Sequence, residues 1–188
     1  HDIQHVENGP TLHFLYQKDT TGHWLKLQKD MLRAWQIMDD EFGKYPYKQF
    51  SVIQGGDGGM EYPMATLIQT VGRTYGGLLS VTVPEAFHNW YYGVLATNES
   101  KYPWMDEGFT SFAQDHVLNI LAGNKNPNPH LGDLHRLAEL HANGLQEPLT
   151  THADHYQTNT CYGISSYSKG SVFLMQIEYI VGEEAFWK

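Results

Sequence analysis

Apolar residues recur at three- and four-residue steps between Trp24 and Phe42. That spacing predicts an amphipathic helix with Trp24, Leu27, Met31, Trp35, Met38 and Phe42 on one face. Thr20 or Thr21 stands where a cap is needed, and Gly43 stands where the helix ends. Upstream, residues 11–17 alternate weakly and read as a strand. Downstream, residues 47–54 read as a second strand through Phe50, Val52 and Ile53. Gly55-Gly56-Asp57-Gly58-Gly59 is a turn, and residues 60–70 look extended, with Pro63 pointing to a sheet edge. Helical patterns then dominate, over roughly 79–95, 104–121, 131–142 and 164–181, the last closed by Gly182. Residues 123–129 form a loop, and residues 183–188 begin another helix. Residues 145–162 show no period and read as a long loop, a feature often tied to function. A few strands followed by helices, with no internal repeat, predict an α+β domain.

Composition narrows the functional classes. The 188 residues are 41% apolar and 13% aromatic, enough for one globular domain. A net charge of −9 and the lack of a basic stripe remove nucleic acid from the expected partners. No apolar run approaches a membrane span, and His1 to Pro10 lack an apolar signal core. Compartment and oligomeric state stay open. The single Cys161 excludes an internal disulfide and a multi-cysteine zinc site. The glycine-rich turn lacks the Gly-Lys-Ser/Thr ending of a phosphate-binding loop.

Candidate chemistry centres on Pro84-Glu85-Ala86-Phe87-His88, with eighteen residues between His88 and Glu107. Helix positions four apart share a face, so two histidines at that spacing hold one metal ion. The glutamate after the first histidine takes a proton from metal-bound water, and a third ligand comes from elsewhere. Here His88 and Glu107 are the ligand candidates and Glu85 is the general-base candidate. The first histidine position holds Pro84, which has no donor atom. Proline costs about 3 kcal/mol inside a helix and little in its first turn. The expectation is therefore a helix that starts near Val83 or kinks there. His116, His130, His135, His141, His152 and His155 are chemically able to replace the missing ligand, and nothing in the sequence brings any of them to His88.

Several segments, in order, resemble the gluzincin aminopeptidases related to aminopeptidase N. Gly58-Gly59-Met60-Glu61-Tyr62 resembles the Gly-x-Met-Glu-Asn exopeptidase motif. Pro84 to Trp90 resembles His-Glu-x-x-His-x-Trp, and Trp104-Met105-Asp106-Glu107-Gly108-Phe109 resembles the third-ligand segment. Tyr167-Ser168-Lys169-Gly170 resembles Tyr-x-Lys-Gly. The resemblance covers roughly residues 45–181 and implies one thermolysin-like catalytic domain over residues 1–188. The N-terminal β domain and C-terminal helical region of full-length relatives would be absent. It also implies one zinc ion on His88 and Glu107, and peptide or protein N-termini as substrates. Water attack would use Glu85 as base, Glu61 would hold the substrate ammonium, and Tyr167 would donate to the oxyanion. Tyr162 matches a further active-site tyrosine of some relatives. Tyr62 and Asp106 depart mildly from the family pattern, and Pro84 departs strongly. Three readings follow: a zinc aminopeptidase, a pseudoenzyme that binds N-termini without cleaving them, and a structural domain of shared ancestry.

Overall fold

Five short strands build one mixed sheet. β1 (Asp2–His5), β2 (Thr11–Leu15), β3 (Gln49–Gly55), β4 (Gly59–Tyr62) and β5 (Ala65–Gln69) lie in the order β1-β2-β3-β5-β4. The outer pairs are antiparallel, while β2–β3 and β3–β5 are parallel. The parallel register sets Leu12 beside Phe50 and Phe14 beside Val52. Residues two apart on a strand share a face, so these four make one apolar surface, and all are fully buried. β1 was not expected, because its stretch is polar and its Ile3 is 46% exposed. Its pairing with β2 satisfies the backbone where hydropathy carries no signal.

The computed structural model describes every residue except Thr20 and Asp57. The proposed Thr20 cap and the centre of the glycine-rich turn lie outside the described residues. α1 (His23–Phe42) buries Trp24, Leu27, Met31, Trp35 and Met38, as the periodicity requires. Its Trp35 ring sits 5.1 Å from that of Phe50, so the helix covers the apolar sheet face. Asp19 provides most of the cap, accepting from the N–H groups of Thr21, Gly22 and Trp24. Thr21 contributes only a 3.3 Å bond from His23 N–H.

The remaining helices are α2 (Tyr75–Phe87), α3 (Pro103–Leu121), α4 (Leu131–Ala142), α5 (Asn159–Gly163), α6 (Gly170–Val181) and α7 (Glu183–Phe186). The expected long loop at 145–162 is partly helical. A 3₁₀ turn spans Ala153–His155, and Thr158 caps α5 by accepting from Cys161 N–H at 3.0 Å. Contacts divide the chain into two compact units, residues 1–89 with 117–124 and residues 90–116 with 125–188. The sheet, α1 and α2 belong to the first, and α4 to α7 belong to the second. The architecture is α+β, as expected. Among the described residues, no helix is long and apolar enough to cross a membrane.

Candidate functional site

The proline lies deeper in its helix than the sequence suggested. α2 begins at Tyr75, where Thr74 Oγ1 accepts from Gly77 N–H at 3.1 Å. Gly76 and Gly77 hide that start, because glycine lowers the local helical signal. Pro84 is therefore interior, and the expectation of a helix starting near Val83 is corrected. The backbone ladder resumes directly after it, with His88 N–H donating to Pro84 O at 3.1 Å. Only the Ser80 carbonyl loses its donor, and Ser80 is exposed, where water can take that place. The helix also ends sooner than expected. Asn89–Val94 forms a π-type turn in which Tyr91 and Tyr92 leave helical geometry, Tyr92 at φ 105°.

In the first unit, Glu61, Glu85 and His88 converge. One ligand atom of each lies within 4.8 Å of the other two. Glu61 comes from edge strand β4, and Glu85 and His88 come from the C-terminal end of α2. Glycine permits the approach, since a Cβ on Gly59 would stand 2.3 Å from Glu85 Oε1 and 2.7 Å from Val81 Cγ2. His88 is buried, while Glu61 and Glu85 are half-buried. Two carboxylates this close attract a cation, whether an ammonium group or a metal ion.

Asn89 fastens the hairpin that carries Glu61. Its Oδ1 accepts Met64 N–H at 2.8 Å and Tyr45 Oη–H at 3.5 Å. Met64 occupies the tight β4–β5 turn at φ 59°, a conformation that costs energy without glycine and needs support. Asn89 is 5% exposed, so removing its oxygen leaves the part-buried Met64 N–H without this acceptor. Asn89→Ala is expected to lower stability by about 1–3 kcal/mol. Urea unfolding measures this, and an unchanged midpoint would remove the anchoring role.

In the second unit, Tyr167 Oη donates to Glu107 Oε1 at 2.7 Å. Two motif glycines set this pair. A Cβ on Gly108 would stand 2.7 Å from Gly170 Cα, so α3 and the start of α6 meet backbone to backbone. Tyr167 itself lies on a π-helical segment, Ile164–Lys169, that leads into α6. Such an insertion commonly marks a functional position, and the 3.6-residue pattern at 164–181 did not reveal it. Its signal was compositional, a run in which Ser165, Ser166 and Ser168 are buried. Burial holds the Lys169 amine below its ordinary pKa. That amine donates to the Glu147 carbonyl at 2.7 Å, pinning the preceding loop to this segment. Tyr162 sits on α5 with its ring 5.6 Å from Tyr156, edge to face.

The donors suit zinc in type but fall short in number. Imidazole and carboxylate are ordinary zinc ligands, and a catalytic zinc takes three from the protein. Pro84 offers none. Within the first unit, the metal-capable cluster around His88 contains Glu61 and Glu85 and no second histidine among the described residues. The other histidines have their own surroundings. His116 packs on Trp187, His130 faces Asp115, His152 faces Asp154 and His155, and His135 and His141 are exposed.

Residues 64–188 match the model of the peptidase family M1 domain. An M1 zinc metallopeptidase from Deinococcus radiodurans, bound to a Tyr-Ser-Ala substrate, superposes with a TM-score of 0.71 at 18% identity. The match covers 98% of this chain and 41% of that one. An aminopeptidase N family protein from Idiomarina loihiensis gives 0.69 at 16% identity, covering 96% and 37%. Leukotriene A4 hydrolase from Saccharomyces cerevisiae gives 0.68 at 16% identity, covering 96% and 30%. At these identities the likeness is one of fold, and the chain spans about two fifths or less of each structure's length.

Proposed function

The chain belongs to peptidase family M1, and from that premise we propose that it carries the catalytic machinery of a zinc aminopeptidase acting on peptide N-termini. The observation that supports this best is the convergence of Glu61, Glu85 and His88. An exopeptidase needs a carboxylate for the free α-ammonium close to the group that moves the proton, and this cluster provides both. Zinc, held by His88 and Glu107, would polarise the scissile carbonyl and acidify water. Glu61 binds the substrate ammonium and excludes blocked or internal peptide bonds. Glu85 accepts the proton of the attacking water on its carboxylate and returns it to the leaving amine. Tyr167 turns its hydroxyl proton from Glu107 toward the developing oxyanion, where a fixed donor stabilises the transition state more than the substrate. Tyr162 borders the bound peptide.

Pro84 favours a second reading, in which the same residues bind free N-termini without cleaving them. Zinc content, hydrolysis of an alanyl or leucyl chromogenic amide, and binding of free and acetylated peptides separate the two. Turnover by the chain as it stands supports the enzyme. Tight binding of free N-termini without turnover supports the binding module. Neither binding nor turnover would discard both. In either case Glu61→Gln is expected to weaken binding of a free N-terminus by roughly 10- to 100-fold, the worth of a charged hydrogen bond, and to leave acetylated peptide unchanged. Equal affinity of Glu61→Gln and the parent for free N-termini would remove Glu61 from that role.

A further inference from the structure

A second cluster of ligand-type side chains lies in the second unit, apart from the residues given catalytic roles. Asp115 comes from α3, His130 immediately precedes α4, and Asp133 sits in its first turn. One carboxylate oxygen of each aspartate and one ring nitrogen of His130 lie within 4.8 Å of one another. His130 and Asp133 are 7% and 2% exposed. The His130 ring is fixed in plane by stacking on Phe112, with centroids 4.5 Å apart and 4° between planes. Its Nδ1 stands 3.4 Å from Asp115 Oδ2 but makes no hydrogen bond. Two donors on a tetrahedral zinc with bonds of about 2.1 Å are themselves about 3.4 Å apart.

Two buried polar atoms of this cluster have no hydrogen-bond partner in the protein, Asp133 Oδ2 and His130 Nδ1. Asp133 Oδ1 takes a 2.6 Å bond from Arg136, but its Oδ2 is buried and has no hydrogen-bond partner. A buried carboxylate oxygen left in this state is costly and calls for a cation or a proton. Burial pushes the Asp115 carboxyl above the usual carboxylate range, the His130 contact offsets part of this, and the Asp133 charge adds to it. A cavity of about 390 Å³, lined by Asp115, Asp133, Arg136, Tyr167 and Ser168 among others, reaches the cluster. It offers an entry path and room for water to complete a coordination shell.

We propose that Asp115, His130 and Asp133 form a binding site for a divalent transition-metal ion of the zinc class, separate from the peptidase site. One imidazole and two carboxylates select such an ion over calcium or magnesium, which take oxygen ligands alone. The ion ties α3 to the start of α4. Arg136 extends the tie, since its Nε donates to Ser168 Oγ at 2.9 Å, next to Tyr167. Its role is structural: it holds the segment that presents Tyr167. The proposal does not depend on the peptidase reading.

Zinc chloride titration of the chelator-stripped chain tests it, with bound metal counted after gel filtration and the cobalt(II) form read by its visible spectrum. His130→Gln is expected to weaken one zinc equivalent by at least about 100-fold, beyond the loss typical of an outer-shell partner. His88→Ala leaves that equivalent in place. Asp133→Asn, which keeps a side-chain oxygen for Arg136, shows the same loss should His130→Gln fail to fold. X-ray absorption at the zinc edge of the His88→Ala chain is expected to show one imidazole with oxygen ligands. Absence of an imidazole signal, or removal of the same single zinc by both His88→Ala and His130→Gln, overturns the proposal. A zinc that depends on His130, with none that depends on His88, counts against the peptidase reading and leaves this site standing.

Discussion

Pro84→His raises zinc affinity by more than about 100-fold and switches on, or strongly increases, hydrolysis of an alanyl amide. His88 and Glu107 are buried, so their donor atoms are already withdrawn from water. On the proposed reading, in which His88 and Glu107 would hold one ion, a histidine four residues before His88 on α2 would supply the third ligand of a catalytic set. Loss of a mere outer-shell partner costs about 10–100-fold in metal affinity, so a direct ligand is worth more. Histidine also restores the N–H that Pro84 lacks in the interior of α2, a change worth about 3 kcal/mol in a helix. Pro84→Ala separates the two effects: it recovers the helix energy and gains no zinc affinity. Parallel zinc titrations and urea unfolding of the three proteins read both quantities. Equal zinc affinity of Pro84→His and Pro84→Ala would sink the assignment of His88 and Glu107 to one ion.

Alanine at Gly108 or Gly170 lowers stability by about 3 kcal/mol or more, at the upper end for overpacked sites. For a chain of this size that corresponds to a melting temperature lower by about 6–12 °C. Each added Cβ would stand 2.7 Å from the Cα of the other glycine, and neither backbone can swing aside as a flexible side chain would. α3 and α6 must therefore separate, which breaks the 2.7 Å bond from Tyr167 to Glu107. Gly163→Ala is the control. A Cβ there meets nothing within 4 Å, and in α5 it is expected to be neutral or stabilising by up to about 1 kcal/mol. Thermal melts of the three variants decide the matter, and a Gly108→Ala melt matching Gly163→Ala would refute the close packing of the two helices.

Much of the architecture was open to a reading of local pattern. The α1 stripe from Trp24 to Met38 is buried as its period demands, and Pro63 does border an edge strand. Departures came where local pattern and local structure part company. β1 is polar and exists because β2 pairs with it. α2 starts behind a glycine pair and runs through Pro84, since one lost bond near a helix end is tolerated when the rest of the helix packs. The π segment under Tyr167 adds a residue to a turn, which a periodic template reads as uninterrupted helix.

The sequence by itself determined α1 and most of the later helices, the α+β class, and the chemical identity of the residues on offer. Glu61, Glu85, His88, Glu107 and Tyr167 stand in motifs whose spacing is a property of the chain, and Pro84 is a defect visible at that level. Tertiary structure alone decided which of these groups meet. Glu61 comes within reach of Glu85 and His88 because Gly59 lets β4 lie against α2 and Asn89 clamps its turn. Tyr167 reaches Glu107 because Gly108 and Gly170 let two helices touch. The cluster of Asp115, His130 and Asp133 has no motif, since it depends on where α3 and α4 pack. Periodicity is fixed within a few residues of chain, whereas proximity across tens of residues is set by which surfaces bury each other.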